Sequence, residues 1–244
     1  MKKFTVDIVI PVLNEEELLE TNIEKIVNFI NTKISTEFQC HIIIADNGST
    51  DSTAIIAKKI ESNNYGKVTY HRVAKRGVGL ALKSTWANSD ADFVGYMDLD
   101  LATDLNHLSS ALEALAYSES DVVYGTRLHK NSIVVGRSVL RGVISRVFNT
   151  ILKYYLNISF SDGMCGFKFL KRKYIPTLLA RGAVSDGWFF CAEFLVVAEW
   201  ANLRLYELPV TWKDDPISKV KVGSLTLEYI KAMRVLKKSR VHFK

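Results

Sequence analysis

Apolar residues recur along the first half of the chain in short runs, each closed by a polar or glycine-bearing turn and followed by a stretch of helical spacing. The first run, residues 6–12, contains DIVIP between valines and predicts a buried strand. The polar Asn14-Glu15-Glu16-Glu17 then opens a helix reaching about residue 31, with acids in the first turn where the helix dipole favours them. Residues 40–45 (CHIIIA) predict a second strand, ended by the turn-forming cluster 46–51. Ser49, Thr50 or Asp51 caps the next helix, 52–62. A third strand spans 68–73, a loop Lys75-Arg76-Gly77-Val78-Gly79 follows, and a helix covers 80–88. The fourth strand, 93–97, leads through an acidic loop to a helix over 105–118.

Strand and helix alternate four times before residue 120. That alternation predicts an α/β fold with a largely parallel sheet flanked by helices. Parallel strands bring their carboxyl ends to one edge, so the four polar loops converge where open α/β sheets bind ligands. Further on, 121–125 predicts a strand that delivers Thr126-Arg127. Residues 137–157 predict a long amphipathic helix bearing Arg137, Arg141 and Ser145 at i, i+4 and i+8. It either packs on the core or lies on a membrane interface. Residues 166–170 form a short strand, and 187–202 a mostly buried helix. Glu193 within that helix must be paired or functional. A last strand spans 204–210 and a basic, exposed helix 224–239.

Composition narrows this picture only a little. The chain has 244 residues, 48% hydrophobic and 24% charged, which suits one sizeable core. The most apolar candidate for a membrane span, 188–201, is interrupted by Glu193 and Glu199, so no transmembrane helix and no signal peptide is expected. Cys40, Cys165 and Cys191 are odd in number and widely spaced, arguing against a disulfide framework or a zinc site and for a reducing, cytoplasmic setting. The formal charge is +6, and from Lys213 onward nine basic residues face three acids, so the tail carries the whole excess. We expect a domain over 1–215 and a basic tail over 216–244, with the boundary at Pro216. The tail is expected to be loosely attached and to meet an anionic membrane surface; no nucleic-acid partner is expected, and oligomeric state is left open.

The strongest chemical signal is FVGYMDLDLATD, residues 93–104. A buried strand runs out of apolar residues and ends in Asp98, Asp100 and Asp104. If the chain stays extended, Asp98 and Asp100 share a face. Paired carboxylates at a strand's carboxyl end suit a hard cation, Mg²⁺ or Mn²⁺, whose shell substrate phosphates complete. The competing reading is that Asp98 or Asp104 caps the helix that follows.

Taken in order, IPVLNEE, ADNGSTD, AKRGVGLAL, YMDLDLATD, YGTR, DGMCGFKFL, DGWFFCAEFL and ELPVTW…SK resemble the inverting family 2 glycosyltransferases of the dolichol-phosphate mannose and dolichyl-phosphate glucose synthase type. The resemblance spans roughly residues 5–222. It implies a GT-A fold and transfer of one hexose from a nucleotide-sugar donor, GDP-mannose or UDP-glucose, to a polyprenyl phosphate acceptor at the cytoplasmic face of a membrane. By the same resemblance Pro11, Asn14, Glu15, Asp46, Lys75, Gly77, Gly79 and Asp98 contact the donor, and Asp98 with Asp100 holds the metal. Asp100, Arg127 and Arg141 are the catalytic candidates, and Arg127, Arg141, Ser145 and Lys219 the acceptor-phosphate set. The chain departs from the family pattern at Asn47, at Ala102 and in the loop Lys213-Asp214-Asp215-Pro216. Two alternatives stand beside this reading: transfer to a soluble saccharide or protein with Asp186 or Glu193 as base, and a non-catalytic membrane adaptor.

Overall fold

The computed structural model describes residues 3–214 and 222–240. In chain order the elements are β1 Phe4–Val12, α1 Leu19–Lys33, β2 Phe38–Asp46, α2 Thr53–Asn63, β3 Val68–Arg72, α3 Val78–Ala87, β4 Phe93–Met97, α4 His107–Tyr117 and β5 Val122–Thr126. There follow β6 Ile133–Val135, α5 Val139–Leu156, β7 Phe167–Lys171, α6 Ile175–Ala180, α7 Phe190–Trp200, β8 Leu205–Pro209, β9 Thr211–Lys213 and α8 Val222–Ser239.

Seven strands form one sheet in the order β3-β2-β1-β4-β7-β5-β8. All pairings are parallel except those of β7, which runs against both β4 and β5. The mostly parallel α/β sheet expected from the alternation is therefore present. Its strands are apolar on both faces because both faces are covered. Along β1, Val6, Ile8, Ile10 and Val12 belong to one core cluster with α1, α2 and α4, whereas Val9 points to the other, with α3 and α7. Close packing between β4 and β7 depends on Gly95, because a Cβ there would stand 2.1 Å from the Phe169 ring on the adjacent strand.

Three short elements escaped the sequence pattern. The strands β6 and β9 pair in a separate parallel two-stranded sheet, and α6 spans only six residues. Elements of three to six residues carry too few positions for a period to emerge. The first helix also starts later than the polar run predicts. Asn14 takes a left-handed φ of 56°. The backbone N–H groups of Asn14, Glu15 and Glu16 go to Ser49, Thr53 and Asp51 across the next loop, so they do not begin the helix.

Two helices correct the sequence reading. The first is α5, whose buried residues are Ser145, Asn149, Leu152 and Leu156, while most of its other aliphatic residues face outward. The second is α8, expected as a loose, solvated appendage. Tyr229, Met233 and Leu236 recur at helical spacing and are buried in the same cluster as α7. Tyr229 packs against Phe148 and Phe189 with tilted rings, 5.4 and 5.6 Å between centroids. The high Lys and Arg content concealed this seam, because long basic side chains decorate only its outer face. Pro216 and Lys219, expected at the boundary and at the acceptor phosphate, lie outside the described residues.

Because Leu236 is 1% exposed, Leu236→Ala should destabilise the protein by about 2–5 kcal/mol through lost burial and the cavity left behind. Chemical denaturation checks this. A change within about 0.5 kcal/mol, as for an ordinary surface site, would mean that α8 does not belong to the core.

Candidate active site

The sheet reverses its order between β1 and β4, and loops from both sides of that switch converge at one edge. The first two loops are sewn together. Asn14 Oδ1 accepts from Thr50 N at 2.8 Å, and Glu16 Oε2 accepts from Ser52 N at 2.9 Å. Asp46 is fully buried at the end of β2. Its Oδ1 accepts from Gly48 N and Ser49 N at 3.1 and 2.7 Å, and its Oδ2 from the Tyr70 hydroxyl at 2.7 Å. Burial opposes its charge, but these donors and Arg72 hold its carboxyl below the usual range. The departure at Asn47 now has a reason: it is buried and its Nδ2 donates to Val12 O at 3.0 Å, which a carboxylate cannot do. Pro11 is buried within β1, where it pairs with Ala45.

Across the switch, β4 ends at Met97 and the chain turns at once. Asp98 and Asp100 therefore do not lie on an extended strand as expected. The turn is closed by Leu101 N to Asp98 O at 3.4 Å, and Leu101 sits at φ 54°, a strained setting for a leucine. Asp104 does not cap α4, whose N-cap residue is Asn106; its Oδ1 accepts from Asn106 N at 2.9 Å in the turn before the helix. Asp98 does something else. Its carboxylate packs on the Cα of Gly166, where a Cβ would fall 1.7 Å from Oδ2. Its pKa is pushed up to about 7, first by burial and then by the like charge of Asp100, against the pull of Lys168 and Arg127. A carboxylate pair crowded in this way is the donor set a hard divalent cation neutralises, and two oxygens' worth of protein ligands leaves most of the shell to phosphate and water. Among the described residues no cluster of three potential ligands forms. The site thus fits an ion shared with a substrate. Ala102 is buried and its N–H donates to Asp100 Oδ1 at 3.0 Å, so this position shapes the loop from the core side.

The residues that the sequence left without roles come from β7. Running antiparallel, β7 starts at this edge and brings the preceding loop, Asp162 to Gly166, beside Asp98. Arg127, at the end of β5, donates from Nε and Nη2 to Asp162 at 2.8 and 2.9 Å, and its guanidinium lies 4.8 Å from the Trp212 ring. Burial alone would raise Asp162, yet Arg127 holds it at about 2. Lys168, fully buried, donates to the Tyr96 hydroxyl at 3.1 Å and to Cys165 O. The motif DGMCGFKFL contained both Asp162 and Lys168, but an isolated motif does not say which way its strand runs.

Arg141 meets Asp214 at 3.0 Å, and Arg137 reaches Arg141 O at 3.4 Å. Burial, then the nearby Arg127 cation, weakens the hold of Arg137 on its proton. Among the described residues, Arg127, Arg137 and Arg141 thus gather near the carboxylates Asp162 and Asp214. One turn beyond Arg141, the Ser145 hydroxyl is buried and has no hydrogen-bond partner among the described residues. Arg127, Arg141 and Ser145 are therefore brought together as the sequence suggested, and Arg137 is added to them.

On the other side of the edge, Lys75 is exposed. Gly77 and Gly79 make room for the protein's own backbone: Cβ atoms there would stand 2.5 Å from Asp186 O and 2.4 Å from Ser185 O. The two candidate bases are engaged nearby. Both oxygens of Glu193 accept from Ser185, N–H and hydroxyl, at 2.7 and 2.8 Å, and Asp186 meets Lys83 at 2.6 Å.

The family described as Glycosyl transferase family 2 matches residues 7–179. Glycosyltransferase AglD of Haloferax volcanii is 32% identical over 216 residues, 88% of this chain and 34% of its own length. The chain thus spans about a third of that relative. Dolichyl-phosphate beta-glucosyltransferases of Dictyostelium discoideum and Saccharomyces cerevisiae are 27% and 25% identical, covering 92% and 94% of this chain and 71% and 73% of theirs. Among solved structures, glucosyl-3-phosphoglycerate synthase from Mycobacterium tuberculosis, in complex with Mn²⁺, UDP-glucose and phosphoglyceric acid, superposes with a TM-score of 0.67 at 18% identity, covering 96% of this chain and 80% of that one. This likeness gives the fold as the GT-A type.

The raised pKa of Asp98 has a consequence for stability. The folded chain holds this proton more tightly than the unfolded chain, so the group stabilises the fold in acid, and that contribution is lost as pH rises through about 7. In excess chelator, Asp98→Asn should therefore raise the melting temperature most at about pH 8, distinctly less at about pH 5, and little below about pH 4. An equal shift at all three values would mean that Asp98 is not a strained carboxylate.

Proposed function

The chain belongs to glycosyl transferase family 2, and from that premise we propose that it transfers a hexose from a nucleotide-sugar to a polyprenyl phosphate with inversion at the anomeric carbon, working peripherally at the cytoplasmic face of a membrane. The Dictyostelium and Saccharomyces relatives, dolichyl-phosphate beta-glucosyltransferases, agree with a dolichyl phosphate acceptor. The observation that carries the acceptor is the cluster of Arg127, Arg137 and Arg141 at the same sheet edge as Asp98 and Asp100, with the unpartnered Ser145 hydroxyl beside it.

The chemistry follows from the acceptor's charge. A sugar or protein hydroxyl must lose a proton as it attacks, which requires a positioned base. Glu193 and Asp186 are held by Ser185 and Lys83, so the soluble-acceptor alternative has weaker support. A phosphate monoester is already anionic and needs orientation. Arg137 and Arg141 offer planar forks for its oxygens, Ser145 a further donor, and Arg127 a cation fixed by Asp162. Attack in line with the leaving diphosphate inverts the sugar carbon.

The donor lies over the loops of β1 and β2. Asn14, Glu15 and the turn organised by Asp46 face the nucleoside, and Lys75 faces the diphosphate from the loop at Gly77 and Gly79. Pro11 fixes the strand end beneath them. Asp98 and Asp100 would hold Mg²⁺ or Mn²⁺, which would supply positive charge for the leaving diphosphate.

A panel of UDP- and GDP-sugars with a short polyprenyl phosphate and Mn²⁺ or Mg²⁺, scored for product in the organic phase, tests this reading. Transfer should cease in excess chelator and in Asp100→Asn. Arg137→Ala and Arg141→Ala should each lower transfer by roughly 10- to 150-fold, the equivalent of about 1.5–3 kcal/mol for a charge-assisted hydrogen bond, with donor binding unchanged. Lysine at either position should restore part of the loss. Full transfer by both alanine variants would remove the phosphate-acceptor reading.

A further inference from the structure

The inward and outward faces of α5 have exchanged their usual chemistry. Val139, Val143, Val147 and Ile151 follow one another at four-residue steps, and Leu140 and Tyr154 fall on the same side; all are exposed, Val139 to 85% and Tyr154 to 86%. Ser145, Asn149, Leu152 and Leu156, on the opposite side, are buried. A helix packed on a soluble core normally turns its apolar stripe inward. Ile133 and Val135 of β6, which precedes the helix in the chain, are exposed as well. Single exposed apolar side chains are ordinary; a run of them along about four turns marks a surface that something covers.

Charge identifies what covers it. From residue 130 to 157 the chain carries Lys130, Arg137, Arg141, Arg146 and Lys153 and no Asp or Glu. Asp214, paired with Arg141, is an acid beside this face, but within the segment itself an apolar stripe is accompanied by cations alone, the composition of a helix lying in the headgroup region of an anionic bilayer. Its neighbour α8 leaves the stripe open: Tyr229 packs on Phe148, and Lys237 lies 4.0 Å from the Tyr155 ring, both away from the line of Val143 and Val147. The N-terminal end of the stripe adjoins Arg137 and Arg141. A polyprenyl phosphate presents its phosphate at headgroup depth with its chain among the acyl chains, so a bilayer under α5 brings that phosphate level with the arginines.

We propose that the outward face of α5, together with β6, docks on an anionic bilayer, its aliphatic stripe entering the boundary between headgroups and acyl chains. The purpose of this docking rests on the lipid-phosphate acceptor proposed above, but the binding itself does not. It moves the main membrane contact from the basic tail, where composition placed it, to a helix within the folded body.

The test is co-sedimentation of the whole chain with vesicles of phosphatidylcholine and phosphatidylglycerol, and with phosphatidylcholine alone, for the wild type and for Val143→Gln/Val147→Gln/Ile151→Gln. Wild type should bind the mixed vesicles more strongly. The triple variant should lose roughly tenfold or more of that binding, keep its melting temperature, and transfer sugar to a short water-soluble polyprenyl phosphate as wild type does. Separately, Val147→Trp should add blue-shifted emission that brominated lipids quench, which decides the matter if the triple variant fails to fold. Absence of wild-type binding to either vesicle, undiminished binding by the triple variant, or an unquenched Trp at 147 would overturn the proposal. So would a lipid-free dimer that the triple substitution dissolves, which would assign the face to a second copy. Vesicle binding without sugar transfer counts against the lipid acceptor alone, and sugar transfer without vesicle binding counts against the docking face alone.

Discussion

Charge buried at the edge of a sheet is costly, and the site is arranged around how that cost is met. Asp162 and Arg127 meet it by pairing: both are almost fully buried, with two hydrogen bonds at 2.8 and 2.9 Å between them. Removing one partner from such a pair typically costs about 3–5 kcal/mol, because the other is left as an uncompensated charge. Lys168 beneath them is satisfied by a hydroxyl and a carbonyl. Asp98 is the member left under strain. Burial and Asp100 both oppose its ionisation, and its carboxylate is pressed against Gly166, so the protein alone does not neutralise it. In the proposed reading this carboxylate pair, opposite the cluster of Arg127, Arg137 and Arg141, gives the edge a place for a cation and a place for an anion.

The division follows from topology. Only because β7 runs antiparallel between β4 and β5 does its first loop deliver Asp162 and Gly166 to the edge where the parallel strands end. The same loop therefore touches both halves of the site, orienting Arg127 on one side and confining Asp98 on the other. Trp212, from β9, completes the arginine side through its ring and through its indole N–H, which donates to Asp214 Oδ1 at 3.4 Å.

Most of the parallel sheet was legible because each strand is a run of apolar residues ended by a polar turn, and β4 falls at residues 93–97 as its composition predicts. The acidic pair and Arg127 were visible as candidates for the same reason, since they sit where runs end, whereas Arg141 was marked by its helical spacing from Arg137 and Ser145. What was hidden depends on direction and depth. Nothing in the sequence of Phe167–Lys171 states that it runs antiparallel, so Asp162 and Lys168 had no visible partners. The seam of α8 was masked by its lysines and arginines. In α5 the apolar period was visible but its orientation was not: the period tells that one side is apolar, and only packing tells that Ser145 and Asn149 face inward. Gly77 and Gly79 invited a ligand reading, whereas in the fold they admit the backbone of residues 185 and 186.

The central claim is that the nucleophile is a phosphate oxygen, received by the arginine side of the edge while the donor diphosphate leaves from the carboxylate side. Phosphorus NMR of a short polyprenyl phosphate, incubated with the protein, a nucleotide-sugar that supports turnover and Mg²⁺, observes that atom directly. The account predicts that the monoester signal gives way to a phosphodiester coupled to the anomeric proton of a hexose in inverted configuration. A monoester that persists unchanged while hexose appears on a hydroxyl acceptor or free in solution would contradict it.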